Sequence, residues 1–139
     1  YEWNGSSWIQ LGQDIDGETA LDNSGYSVSI SSDGNIVAIG AEGNNGNGIE
    51  SGHVRIYEWN GISWNQIGQD INGNSGNDRF GTFLSLSSNG NTVAIGAPEN
   101  DGNNSGSESV APFLGNPVVS VSNTSTFMVL YTIKNVIVF

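Results

Sequence analysis

Four tryptophans stand in two pairs of identical spacing, Trp3 with Trp8 and Trp59 with Trp64, and Asn4 and Asn60 follow the first member of each pair. An indole face stacks on the apolar face of a sugar ring while neighbouring amides bond its hydroxyls, so this composition suits a carbohydrate site. The plainer role is packing of one structural unit against the next, which the spacing favours; contact with a partner protein is a third. Acidic residues form the second candidate group. Asp14 and Asp22 reappear as Asp70 and Asp78, and such a set is at most a weak cation site. Asx side chains at strand ends bond their own backbone, so a structural role is expected for all four. The loops 44–47 and 99–103 also offer amides and carboxylates to a cation, but as loops they are expected to be solvated. The single histidine, His53, shares a strand face with Arg55, Tyr57 and Trp59 and has no acidic or serine partner by spacing. A structural histidine is expected there, and no general base. A glycosidase pair of carboxylates would have to come from loops on successive units, which lie far apart. No catalytic residue is nominated, and the chain is not expected to be an enzyme.

What must position these residues is a repeat. Residues 1–47 are written again as 57–103 at a constant offset of 56 residues, without a gap. Tyr1-Glu2-Trp3-Asn4-Gly5 recurs as Tyr57-Glu58-Trp59-Asn60-Gly61, and Val37-Ala38-Ile39-Gly40-Ala41 as Val93-Ala94-Ile95-Gly96-Ala97. A fixed period of this size marks a repeat architecture. The chain divides into a repeat region, 1–107 (copies 1–56 and 57–107), and a divergent apolar tail, 108–139.

Composition narrows the class. Gly accounts for 20 of the 139 residues and charged residues for only 12%, which favours short strands joined by turns over helices. No window carries apolar residues at helical spacing. The net charge is −11, with Arg55, Arg79 and Lys134 the only cations, so the surface repels phosphate backbones and anionic lipid. Nucleic acid is excluded as a partner on that ground. Cysteine is absent, which rules out disulfides and thiolate chemistry. The longest apolar run, 127–139, is interrupted by Lys134 and Asn135 and is shorter than the about 20 residues of a membrane helix. No membrane insertion is expected. Low charge with much Asn, Gly and Ser suits a secreted or cell-surface protein. The chain opens in mid-repeat without an initiator methionine or signal peptide, which reads as a processed piece of something longer.

Within a repeat, Tyr26-Ser27-Val28-Ser29-Ile30-Ser31 alternates with period two, as a half-buried strand does. Ser32-Asp33-Gly34-Asn35 makes a turn, and 36–41 is a short apolar strand of the kind buried on both faces. Strands at 53–59 and 63–68 complete four per repeat, with Asn-Gly turns at Asn4 and Asn60. The expected fold is all-β: tandem four-stranded antiparallel blades of a β-propeller, two of them, followed by an atypical β-rich tail.

The second copy carries Phe80-Gly81 and then Gly96-Ala97-Pro98, and the first carries the weaker Ser24-Gly25 and Gly40-Ala41-Glu42. On these residues the region from 1 to about 107 resembles the FG-GAP repeat, the blade of integrin-type β-propellers, in the variant found in tandem in bacterial surface proteins. The resemblance implies a non-catalytic extracellular module for adhesion or protein–protein interaction. It also implies calcium held by alternating Asp and Asn in a loop. The matching turns, 31–35 and 87–91, offer one carboxylate, Asp33, and none. That departure removes the family's ligands, so neither calcium nor any other cofactor is carried over.

Two repeats do not close a propeller, which takes roughly 4–8 blades. The chain must therefore meet further repeats of a longer chain, or copies of itself in a ring or filament. After Ser107 the repeat breaks, though strand-like runs remain at 118–122, 127–133 and 136–139. These either replace missing strands of the second blade or pair with another chain. Phe127, Val129, Tyr131, Ile133, Val136 and Val138 are the self-association candidates, being β-branched or aromatic in a nearly uncharged run. Three functions stay open: the interaction module, a self-assembling structural subunit, and a glycan-binding propeller. Sequons at Asn4, Asn103 and Asn123 bear on none of them outside a host that glycosylates.

Overall fold

In the computed structural model residues 1–100 are described in full and 127–132 by their backbone. Among these residues the protein is all-β, with no helix, and its sheets are antiparallel and open. A first hairpin pairs β1 (Glu2–Trp3) with β2 (Trp8–Ile9). Then β3 (Ser24–Ile30), β4 (Ile36–Ala41), β5 (His53–Trp59) and β6 (Trp64–Gln66) form a meander in that order. The expected strand at 63–68 is shorter than read, because Gly68 takes a positive φ of 77° and turns the chain away. An unforeseen strand, β7 (Ile71–Asn72), pairs with the His53 end of β5 beyond the reach of β6.

The second copy gives β8 (Phe83–Leu86) and β9 (Thr92–Ala97), and β9 pairs antiparallel with β10 (Phe127–Thr132). β10 takes the place that β5 holds in the first sheet. Val37 faces Tyr57 there, and Val93 faces Tyr131 here. Of the two roles open to the tail, this stretch completes the second sheet within the chain. The runs 118–122 and 136–139 lie outside the described residues, as do Ile133, Val136 and Val138.

The repeat extends to backbone conformation. Gly5 and Gly61, Gly12 and Gly68, Gly25 and Gly81, and Gly34 and Gly90 all have positive φ in matched pairs. So do two pairs that are not glycine, Leu21 with Asn77 and Asn23 with Arg79. Side chains repeat too. Asn4 and Asn60 each accept two backbone N–H bonds in their turns, and Gln10 and Gln66 each donate to the aspartate four residues on.

The core lies where the two sheets meet face to face. Ile36 and Ala38 of β4 with Val54 and Ile56 of β5 pack against Val93, Ile95 and Ala97 of β9, and Phe80 is buried among them. Ile67, Ile71, Leu84 and Leu86 flank this layer. Strand alternation decides which residues enter: in β4, Ile36 and Ala38 are buried while Val37 and Ile39 between them are half-exposed. The sheets come close enough that a Cβ on Gly40 would collide with the Gly81 carbonyl. Four bonds hold this seam. The Ser27 hydroxyl donates to the Gly81 carbonyl, the Leu86 N–H donates to the Ser29 hydroxyl, and Ser32 donates to the Ser88 carbonyl from both its N–H and its hydroxyl.

The loop 43–52 is a second seam. Asn77, Arg79 and Phe80 donate backbone N–H bonds to Ile49, Glu50 and Ser51, and Asn47 bonds the Gly73 carbonyl through its side chain. The expectation of a solvated loop is corrected at Asn44, which is buried.

Candidate functional site

The repeated Asn-Gly hairpins bring each tryptophan pair across two strands. Trp3 and Trp8 have ring centroids 5.6 Å apart at 57°, and Trp59 and Trp64 are 5.4 Å apart at 48°. Their surroundings differ. Trp59 lies against Gly12, where a side chain would strike its ring, and the Trp64 indole N–H donates to the Leu11 carbonyl at 3.1 Å. Trp3 and Trp8 stand exposed on the first hairpin. The structure thus places the four candidates in two separate pairs, one seated on the segment 11–12 and one open.

Trp64 also borders two cavities between the first sheet and the segment 10–16. The larger, of about 630 Å³, has Val28, Ile30, Val37 and Ile39 as its floor and Leu11 and Ile15 along one side. The smaller, of about 230 Å³, is lined by Tyr57, Ser63, Asp14 and Asp16 among others.

The four aspartates weighed as cation ligands are spent in local bonds. Asp14 accepts from Gln10 at 2.9 Å. Asp22, buried, accepts from the Thr19 N–H and hydroxyl and from Asn44, and Asp78, also buried, accepts from the Ser75 N–H. Burial pushes the Asp22 carboxyl upward, but the bonds from Asn44 and Thr19 outweigh it and hold the group below its usual range. Asp33 in the first turn is lowered by the Ser31 hydroxyl, and Asn89 accepts the same bond from Ser87 in the second copy. A turn that forms equally with Asp or Asn is built for backbone geometry.

Asp70 belongs to the one cluster that the spacing hid. Glu18, His53 and Asp70 bring a potential ligand atom each to within 4.8 Å of one another, the one such group among the described residues. The reading that His53 lacks an acidic partner is corrected: the loop before β3 and the turn after β6 converge on it, and neither proximity is visible along the chain. Arg55, two residues along the same strand face, decides what the cluster is. Its guanidinium bonds both Asp70 oxygens, at 2.9 and 2.8 Å, and pairs with Glu18. Arg55 holds the Asp70 carboxyl well below the usual range, and its own pKa is raised. Burial lowers the His53 pKa and the Arg55 charge lowers it further, against the opposing pull of Asp70, Glu18 and Asp22. The result is a neutral imidazole beside a satisfied ion pair. An ion binding there would have to displace a bidentate arginine, which the geometry disfavours.

Arg79 makes the second ion network, with both Nε and a terminal nitrogen on Glu50 and the other terminal nitrogen 3.2 Å from Glu99. Of the self-association candidates, Phe127, Val129 and Tyr131 fall in β10 opposite Ala97, Ile95 and Val93. Comparison of the chain with protein-family models, with curated proteins and with solved structures gave no match.

Proposed function

We propose that this chain is a non-catalytic extracellular module, built of FG-GAP-type β-propeller repeats, that works in adhesion or protein–protein interaction. The observation that carries the reading is the engagement of Glu18 and Asp70 by Arg55, which occupies the one cluster of potential ligand groups among the described residues and leaves the sheet faces as what they offer a partner. The four-strand meander and the face-to-face packing of equivalent strands support the repeat assignment, since blades are stacked sheets of this order. The low charge, the acidic balance and the many Asn and Ser residues support the extracellular setting.

The test is an immobilised full chain presented in parallel to purified extracellular proteins and to a glycan array. Saturable binding to protein, unchanged by a chelator, is the expected result. Glycan binding that vanishes in Trp3→Ala and Trp8→Ala would replace this reading with a lectin, because that pair is the exposed one.

A further inference from the structure

The seam residues Ile36, Ala38, Leu84, Leu86, Val93 and Ile95 each have a counterpart 56 positions away, and those counterparts lie outside the internal core. The second sheet meets the first through Val93, Ile95, Leu84 and Leu86. Their equivalents in the first sheet are Val37, Ile39, Val28 and Ile30, paired across β3 and β4 in the same register. None of these four is buried. Val28 is 62% exposed and Ile30 58%, and all four line the cavity of about 630 Å³. The flanking positions are kept as well. Leu11 and Ile15 border this face, as their equivalents Ile67 and Ile71 border the internal core.

The opposite outward face carries the complementary half. Ala94 and Thr92 of β9 stand where Ala38 and Ile36 stand in the seam, and both are half-exposed. Gly96 matches Gly40 but is covered by the Phe83 side chain, and on the first sheet Gly25, with φ of 87° and open space around it, matches Gly81. Ser85 matches Ser29, the acceptor of the Leu86 N–H, and is exposed. Ser88 matches Ser32, and Ser32 itself matches the acceptor Ser88. Three positions depart: Phe83, 58% exposed, replaces the Ser27 hydroxyl with an apolar ring, Thr92 replaces the buried Ile36, and on the first sheet Ser24 stands where the buried Phe80 stands in the seam.

We infer that the outer face of the second sheet of one copy of this chain docks on the open face of the first sheet of another copy, head to tail. The interface follows the plan of the chain's own internal seam between molecules, with Ser85 accepting from the Ile30 N–H. Such a contact is heterologous, so it closes into a ring or continues as a filament according to the rotation per copy. It covers the exposed apolar side chains of Val28 and Ile30. The inference rests on the interaction-module reading and adds the partner: a second copy.

The test is the mass of the 139-residue chain by light scattering after gel filtration over a range of concentrations. The expected result is growth in whole-chain multiples. Val28→Glu with Ile30→Glu blocks one face, and Phe83→Glu with Ser85→Glu blocks the other; all four side chains are at the surface. Each variant alone should lose all mass above the monomer. Mixed in equal amounts they should form one-to-one dimers and nothing larger, because each retains the half that the other lacks. A second measurement does not depend on charged substitutions. The chain has no cysteine, so Ile30→Cys and Ser85→Cys can be oxidised together, and the mixed dimer should form in preference to either homodimer. A wild-type chain that stays monomeric at every concentration overturns the inference, and so does assembly that survives both pairs of substitutions. A folded monomer that still binds foreign protein removes the inference alone. A chain that assembles yet binds no foreign partner upholds it and removes the adhesion reading instead.

Discussion

At the scale of single residues, backbone conformation and ionisation carry the most. Leu21 sits at φ of 75° and is 88% exposed, in the left-handed region that costs a non-glycine residue roughly 1–2 kcal/mol. Its counterpart in the second copy is Asn77, a residue that tolerates this region. Leu21→Asn should therefore stabilise the fold by about 0.5–1 kcal/mol, read as a rise in the thermal midpoint. Ionisation predicts two steps on acidification. His53 has its folded pKa below the ordinary 6.5, so the unfolded chain takes up the proton first, and stability that is full above 6.5 declines as pH falls toward the folded value. Asp22, Asp33 and Asp70 are lowered from 3.8, so their contribution is full above that value and is lost as pH falls through their folded values. Thermal melts across pH should show both steps, and His53→Gln should abolish the upper one alone. An upper step that persists in that variant would assign it to another group.

At the scale of elements, equivalent positions in the two copies are the informative comparison. Ile95 is fully buried between the sheets, whereas Ile39, the same residue one repeat earlier, is half-exposed on the open face. Ile95→Ala removes a filled core position and should cost about 2–5 kcal/mol. Ile39→Ala, measured on the monomer, should cost less than about 1.5 kcal/mol, since the lost atoms were already partly in water. Chemical denaturation of both variants checks the difference; equal losses would mean that the two faces are equally covered. The strands and turns themselves were legible. Alternation over 26–31, the apolar run at 36–41 and the Asn-Gly hairpins all correspond to observed elements, because these signals are local. β7 was not, because it exists only by pairing with β5, to which nothing in Ile71–Asn72 itself points.

At the scale of the molecule, charge and sheet faces act against each other. A net charge of −11 on 139 residues repels a second copy, while the open apolar face attracts one. Added salt screens the first without weakening the second, so self-association should strengthen as ionic strength rises. Sedimentation equilibrium at low and high salt measures this, and an association constant that falls with salt would mean that ion pairs, not apolar packing, hold the contact.

The period, the strand content and the identity of the turn residues follow from the order of residues alone, since each depends on neighbours close along the chain. The same order singles out His53 and Arg55 as sharing a strand face. Folding brings Glu18 and Asp70 beside them from two different loops, turning an apparently lone histidine into part of a cluster engaged by arginine. It likewise decides which face of each sheet is covered. Val37 and Val93 read identically in the repeat, yet one is half-exposed and the other fully buried. What separates them is whether another sheet stands opposite, a property of neighbours in space that no window of sequence contains.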